Sequence, residues 1–320
     1  MEWNIGYIIN KRSILTPDKT AIYYDDMPIT YKDLNDGTNR VANYLRKKGL
    51  KKGDRISVLL KNCPEFLQIY FASAKLGLIF VPLNFRLMGQ EISYQLGNCG
   101  PRLLIFDDAK ADLIGKVRSE IPVEVDKYIY LQSEPENVSK CPEWAEDFRE
   151  MAAQSPVEEP ELDEPVFLDD PLAIIYTSGV TGDAKGALLT HGQTYFKCFQ
   201  NIFYTDMRSE DVYLSQLPLF HSGGLFVVVT PTLCRGATIV MRQRFKPEQF
   251  AEDIQKYKAT IVFALTTMWR FILQTSKLDE VDTAGVRVVM GGGERTPKNL
   301  FDDLAKRGLY MQQVFGQTEN

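Results

Sequence analysis

Short apolar runs alternate with stretches in which apolar positions return at helical spacing. The runs at 55–60, 78–81, 103–106, 172–175, 212–215, 238–241, 260–263, 286–289 and 313–315 read as strands. Between them, Tyr31, Leu34, Val41 and Leu45 recur on one helical face. A Thr30/Asp33 capping box precedes that face and Gly49 stops it. Asn62 is expected to cap the next helix, with Pro64 and Glu65 in its first turn and Phe66, Tyr70, Phe71 and Ala74 facing inward. Thr190 and Gln193 form a second capping box, and helices fit 247–257 and 297–307. The alternation predicts an α/β fold, two βα lobes with mostly parallel sheets covered by helices. Residues 134–171 break the rhythm. Glu158, Glu159, Glu161, Asp163 and Glu164 lie between Pro156 and Pro165 with no basic residue, which predicts an extended, solvated connector. That places a first lobe over 1–170 and a second over 171–320.

Composition narrows the function classes. A net charge of -5 and the lack of a basic run argue against nucleic acid as a partner. Cys63, Cys99, Cys141, Cys198 and Cys234 are scattered without C-x-x-C spacing and read as free thiols in a reducing compartment. No apolar stretch reaches about 18 residues, so no transmembrane segment is expected. The first residues lack the order of a signal peptide, and the cytoplasm follows by default. Peripheral membrane contact and a homodimer stay open.

The strongest chemical signal runs from Tyr176 to Gly186: Y-T-S-G-V-T-G-D-A-K-G. Glycines let successive backbone N–H groups converge, hydroxyls add donors, and the lysine adds a mobile charge, a set that suits a polyphosphate. It is not a Walker A loop. Counting from Gly179, the second glycine falls on Ala184, and Gly186 stands where Ser or Thr is required. The bland alternative is a glycine-rich surface turn.

Three further constellations follow predicted strands. Leu217 to Gly224 holds Phe220, His221, Gly223 and Gly224, a narrow apolar slot with one polar tip, or a structural histidine in a tight turn. Gly291, Gly292 and Gly293 precede Glu294 and permit close approach of a flat ring, or merely turn the chain. Phe315-Gly316-Gln317-Thr318-Glu319 supplies an aromatic, a hydroxyl and a carboxylate. In open α/β sheets ligands sit beyond the carboxyl ends of the strands, so one shared cleft is expected. His191 reads as structural, in the first turn of a helix.

In this order the motifs resemble the signatures of the adenylate-forming superfamily, its acyl-CoA synthetase and fatty-acid–CoA ligase branch above all. The match covers nearly the whole chain. It includes weaker runs at 17–22, 30–34, 53–55 and 81–84, and departs from the usual pattern at Val180, Ala184, Gly293 and Glu294. The resemblance implies ATP-dependent activation of a fatty or aryl acid to an acyl-adenylate. Transfer to coenzyme A as co-substrate follows, with Mg²⁺ as cofactor. Luciferase-like enzymes and a non-catalytic nucleotide- or acyl-binding module share the motifs.

By the same resemblance Thr177, Ser178, Gly179, Thr181, Gly182, Lys185 and Gly186 hold phosphates. Gly291, Gly292, Gly293, Glu294, Phe315 and Gly316 frame adenine, and Thr318 meets the α-phosphate. Thr177 and Glu319 bind Mg²⁺. Thr177, Lys185, His221, Thr318 and Glu319 carry the catalysis. The acid pocket draws on Phe220, His221, Gly223, Gly224, Thr267 and Met268, with Trp269 able to close it. Adenylation domains for amino acids have Asp where His221 stands, and a buried ammonium needs such a counter-charge, so amino acids are disfavoured. The resemblance also implies a ribose-binding Asp, a hinge and a small C-terminal domain with a catalytic Lys. None has a counterpart before Asn320, so the expectation is a portion of a longer enzyme that does not turn over alone.

Overall fold

Fourteen strands form among residues 4–123, 127–133, 140–177 and 182–319, the part that the computed structural model describes. In chain order they are β1 (Thr20–Tyr24), β2 (Met27–Thr30), β3 (Arg55–Leu59), β4 (Ile79–Pro82), β5 (Leu103–Asp107), β6 (Tyr128–Leu131) and β7 (Glu146–Asp147). Then come β8 (Pro171–Thr177), β9 (Lys185–Thr190), β10 (Val212–Ser215), β11 (Thr238–Met241), β12 (Ile261–Leu265), β13 (Val288–Gly292) and β14 (Met311–Val314).

They build two seven-stranded sheets on one plan. The first runs β7-β6-β5-β3-β4-β8-β9 and the second β14-β13-β12-β10-β11-β1-β2. In each, five parallel strands have the same spatial order, and an antiparallel hairpin is added at one edge. The hairpins are exchanged between the halves of the sequence. β1 pairs with β11, and β8 pairs with β4. A boundary at 170/171 would therefore cut β8 from the sheet to which it is hydrogen-bonded, and the sheets do not follow the sequential division into 1–170 and 171–320. Hydrophobic periodicity specifies strands well, but it carries no information on which sheet an edge hairpin joins.

Burial joins the sheets into one core. Helix Pro64–Leu76 packs Phe66 and Tyr70 on Phe80 of β4, with ring centroids 5.3 and 5.4 Å apart. Tyr70 also meets Phe226, at 5.9 Å, from the segment after β10. Both expected capping boxes form, Thr30 with Asp33 and Thr190 with Gln193.

Two local expectations change. Asn62 does not cap the helix at 64. Its amide donates to the carbonyl of Leu217 (2.9 Å) and its Oδ1 accepts from the N–H of Leu219 (2.9 Å), so it ties the first sheet to the loop after β10. The acidic connector is docked rather than free. Beyond residues 134–139, which lie outside the described part, it contains β7 and helix Phe148–Ala153. Asn39 and Asn43 of helix Tyr31–Lys47 then donate to the carbonyls of Val157 and Glu158. Buried Lys75 donates to both carboxylate oxygens of Glu159 (2.8 and 2.6 Å). Charge composition alone reads such a strap as solvated because its partners lie more than eighty residues away in sequence.

His191 is structural, as its position in the sequence suggests. It is fully buried at the start of helix His191–Thr205, and its Nδ1 accepts from the backbone N–H of Ile5 (3.1 Å). Burial pushes its pKa down to about 4, with Asp170 pulling the other way. The unfolded chain keeps the ordinary value near 6.5. Between these values the unfolded state binds the extra proton, so stability falls as the pH drops from about 6.5 to about 4, by roughly 3 kcal/mol in all. Urea titrations across that window should show the loss, and His191→Gln should flatten it. An unchanged slope in the variant would show that other groups dominate.

Candidate active site

The glycine-rich segment joins two paired strands. β8 and β9 pair antiparallel, with Tyr176 opposite Gly186 and Thr177 opposite Lys185. β9 was not legible as a strand because it opens on Lys185-Gly186 at an exposed sheet edge, without alternation. Helix Gly89–Cys99 supports the hairpin. The Tyr176 hydroxyl donates to Asn98 Oδ1 (2.7 Å), and the Tyr94 hydroxyl donates to the carbonyl of Ala184 (3.3 Å). Gly186 is required by packing, since a Cβ there would lie 2.6 Å from the side chain of Ile174. Thr177 donates its hydroxyl proton to the carbonyl of Lys185 (3.5 Å), and the Lys185 side chain is exposed. Gly182 lies in the exposed turn, while Ser178, Gly179 and Thr181 fall outside the described residues.

The second cluster forms beyond the carboxyl end of β10. In the order β12-β10-β11 the chain leaves β10 in both directions, and ligands bind at such switch points. After the loop at Phe220 and His221 the chain enters a π-helical segment, Gly223–Val229, a geometry frequent at functional sites. Gly224 is imposed there, because a Cβ would lie 2.3 Å from the carbonyl oxygen of Pro218. Phe220 packs edge-on against Phe85 at 5.4 Å. His221 accepts a hydrogen bond from the N–H of Gly223 through Nδ1 (3.1 Å). That contact leaves Nε2–H as its outward donor. The residue is exposed, while the protein packed around it lowers its pKa by desolvation. Neutral imidazole therefore dominates at pH 7.

Thr318 is brought onto this loop. Its hydroxyl lies 3.2 Å from the hydroxyl of Ser222, and both residues are buried. Its carbonyl accepts from Lys197 Nζ (3.2 Å). Lys197 comes from helix His191–Thr205; burial lowers its pKa and nearby Glu319 raises it. Ser222 lies in the Phe220–Gly224 stretch expected to form the acid pocket but was given no role of its own, and Lys197 was not singled out. A lysine between aromatics on a helix looks like a solvated charge, and only the tertiary fold shows its tip turned inward.

Other motif residues have structural explanations as well. Gly291 and Gly292 do not follow the strand but lie within β13: a Cβ at Gly292 would lie 2.7 Å from the Val314 carbonyl oxygen, whereas one at Gly291 would meet only the flexible Met311 side chain, at 2.4 Å. Gly293 then takes φ +89°, which favours glycine. Glu294 is exposed, 3.8 Å from Arg270. Phe315 is 83% exposed, a free ring face just after β14. Gly316 beside it has no neighbour within 4 Å of a built Cβ.

A cavity of about 380 Å³ opens between helix His191–Thr205, the π-helical segment and the residues after β14. Ser222, Phe226, Val227 and Lys197 line it, with Gln313 to Gln317 on the far wall. None of the residues expected to form the acid pocket, Phe220, His221, Gly223, Gly224, Thr267 and Met268, is among its walls. Trp269 is fully buried, donating to the carbonyl of Met290 (3.1 Å), and serves the core rather than a pocket. A larger cavity of about 900 Å³ lies beside helix Phe148–Ala153, among Tyr44, Lys48, Glu146 and Glu150, and contains none of the motif residues. Among the described residues no hydrogen bond or ion pair joins Thr177 or Lys185 to Thr318 or Glu319. The two clusters lie at the ends of different sheets.

Glu319 and the Thr177 hydroxyl are oxygen donors of the kind Mg²⁺ prefers. Among the described residues no group of three or more His, Cys, Asp or Glu could hold a metal. That donor set suits a Mg²⁺ delivered on a polyphosphate, which needs only one or two protein oxygens.

Comparison with known proteins places this geometry. A feruloyl-CoA synthase of an Amycolatopsis species is 32% identical over 97% of this chain and 58% of its own length. A long-chain-fatty-acid–CoA ligase of Mycobacterium tuberculosis is 30% identical over 99% of this chain and 60% of its own. The inhibitor-bound N-terminal domain of FACL13 from Mycobacterium tuberculosis superposes with a TM-score of 0.85 at 28% identity. That match covers all of this chain and 77% of the solved one. The chain thus spans about 58–60% of the length of these curated relatives. The family model described as AMP-binding enzyme matches residues 11–320, and the chain belongs to the AMP-binding enzyme family.

Proposed function

We propose that this chain forms the nucleotide- and acid-binding part of an enzyme that activates a carboxylic acid with ATP and passes the acyl group to coenzyme A. The observation that carries the reading is the Ser222–Thr318 contact, which ties the Thr318 hydroxyl to two residues that line the cavity, Ser222 and Lys197. Among the relatives are a feruloyl-CoA synthase, an indoleacetate–CoA ligase and a long-chain-fatty-acid–CoA ligase, which supports an acid–thiol ligase without choosing the acid.

In the first half-reaction a carboxylate oxygen bonds to the α-phosphorus of ATP while the bond from that phosphorus to the bridging oxygen of pyrophosphate breaks. No enzyme nucleophile is needed. The protein aligns the two anions and stabilises charge on the phosphate oxygens. Thr318 donates toward the α-phosphate from a hydroxyl already oriented by Ser222. Thr177 and Lys185, with Ser178, Gly179, Thr181 and Gly182, hold the outer phosphates at the hairpin turn. Glu319 and Thr177 hold Mg²⁺, which neutralises phosphate charge when bound. Phe315 offers its exposed face to adenine beside Gly291–Gly293. His221 presents Nε2–H to the acid's carboxylate at the rim.

In the second half-reaction the coenzyme A thiol attacks the acyl carbon and AMP leaves. Enzyme expressed from its complete reading frame should exchange pyrophosphate into ATP only with an acid and Mg²⁺, and should release AMP with coenzyme A. Release of ADP and orthophosphate, or exchange without acid, would sink the reading.

A further inference from the structure

Two of the five cysteines meet. Cys198 lies in helix His191–Thr205 and is fully buried, and Cys234 lies in helix Thr230–Arg235 and is partly exposed. The two helices pack together, and the two thiols are hydrogen-bonded to one another. The other three are placed differently. Cys99 faces the Ser57 hydroxyl (3.6 Å), Cys141 donates to the carbonyl of Ala145 (3.4 Å), and Cys63 is buried at the start of helix Pro64–Leu76.

Cations gather around Cys234. Arg12 donates through Nε and Nη2 to its carbonyl (3.1 and 2.5 Å), Lys19 Nζ donates to the carbonyl of Gly236 (2.5 Å), and Arg235 Nε donates to that of Met207 (2.8 Å). A partly exposed thiol in electropositive surroundings ionises readily, and the thiolate is the nucleophile. The hydrogen bond from Cys198 holds the Cys234 thiol below its ordinary range; burial opposes this, and Arg12, Lys11 and Arg235 reinforce it. Burial pushes the Cys198 thiol up, and its bond to Cys234 adds to the effect. One sulfur is thus poised to attack, and its neighbour keeps a proton to give.

We propose that Cys198 and Cys234 form an oxidisable dithiol whose oxidant is a hydroperoxide. With hydrogen peroxide, the Cys234 thiolate attacks one peroxide oxygen. The S–O bond forms, the O–O bond breaks, and the departing hydroxide takes up the proton that Cys234 released on ionising. The Cys198 sulfur then attacks the Cys234 sulfur. The S–S bond forms, the S–O bond breaks, and hydroxide leaves with the Cys198 proton as water. Two thiols are oxidised to a disulfide, one peroxide is reduced to two waters, and a dithiol reductant reverses the change. The bond staples together two elements that line the 380 Å³ cavity. Helix His191–Thr205 supplies Lys197, beside Cys198, and the segment Gly223–Val229, which runs straight into Thr230–Arg235, supplies Phe226 and Val227. The chemistry does not depend on the acid-activating reading.

The test treats enzyme from the complete reading frame with hydrogen peroxide, alkylates it in denaturant and digests it with trypsin. Cys198 and Cys234 fall on adjoining peptides, 198–208 and 209–235. The two should be found joined by a disulfide, two hydrogens lighter than the sum of the free peptides. Alkylation should be lost at both cysteines, kept at Cys63, Cys99 and Cys141, and restored by dithiothreitol. Cys198→Ser should leave Cys234 as a sulfenic acid that dimedone captures, and Cys234→Ser should leave Cys198 unmodified, with thermal melting confirming the fold of each. Full alkylation of both cysteines after peroxide overturns the inference. So does oxidation of Cys234 without a link to Cys198 in the unmodified enzyme, or equal oxidation of Cys198 in Cys234→Ser.

Discussion

Lys185→Ala lowers acid-dependent pyrophosphate exchange by roughly 10²–10³-fold, the size of loss typical when one well-placed electrostatic donor is removed from a transition state. The reason is positional. Lys185 opens β9 directly across the hairpin from Thr177, so its charge has a fixed root. Its side chain is exposed, and no described residue pairs with it. Such a charge contributes little to folding, so the variant should melt as the parent does while losing activity. Glu319→Gln should cost a similar factor, with a higher Mg²⁺ requirement as its signature. An active Lys185→Ala enzyme with ordinary kinetics would remove the hairpin from the phosphate site.

The largest stability effect is expected far from any motif. Arg242, just after β11, is 3% exposed and Asp253 is 1% exposed. They pair through two hydrogen bonds, Nε to Oδ2 at 2.9 Å and Nη2 to Oδ1 at 2.5 Å. Gln216 Nε2 also donates to Asp253 (3.3 Å), and Asn62 donates to the Arg242 carbonyl (3.4 Å). The pair therefore anchors the chain that leads into Leu217–Ser222. Asp253→Ala strands a buried guanidinium, which keeps Asp26 (2.7 Å) and, more distantly, Asp25 (3.7 Å), both half exposed at the surface. Breaking a buried pair in this way costs about 3 kcal/mol or more. Chemical denaturation would read that loss directly. Acid binding should weaken too, because the loop carrying His221 and Ser222 loses its footing. A loss below about 1 kcal/mol would mean that water reaches Arg242 and substitutes for Asp253.

The sequence was most legible where local chemistry repeats. Strands such as Val212–Ser215 and both capping boxes could be read from period and end signals, because neighbours in the chain determine them. The exchange of the β1–β2 and β8–β9 hairpins could not, since pairing with β11 and β4 is set by the shape of a distant sheet edge. The same limit applies to the site. Thr318 and His221 sit in motifs that glycines make conspicuous. Ser222 and Lys197 matter only through what a helix and a loop bring together. Part of the motif glycine content has a plain packing cause, as at Gly292, where the β14 backbone leaves no space for a side chain. Glycine there is required by the sheet whether or not adenine binds beside it.

The most direct test of the account is a crystal structure with a non-hydrolysable acyl-sulfamoyl adenosine. The account places adenine between Phe315 and Gly291–Gly293, the sulfamoyl group on Thr318, and the acyl group in the cavity beside Ser222 and Phe226. An analogue seated in the cavity between Tyr44 and Glu150, or an acyl group directed away from Lys197 and Ser222, would contradict it.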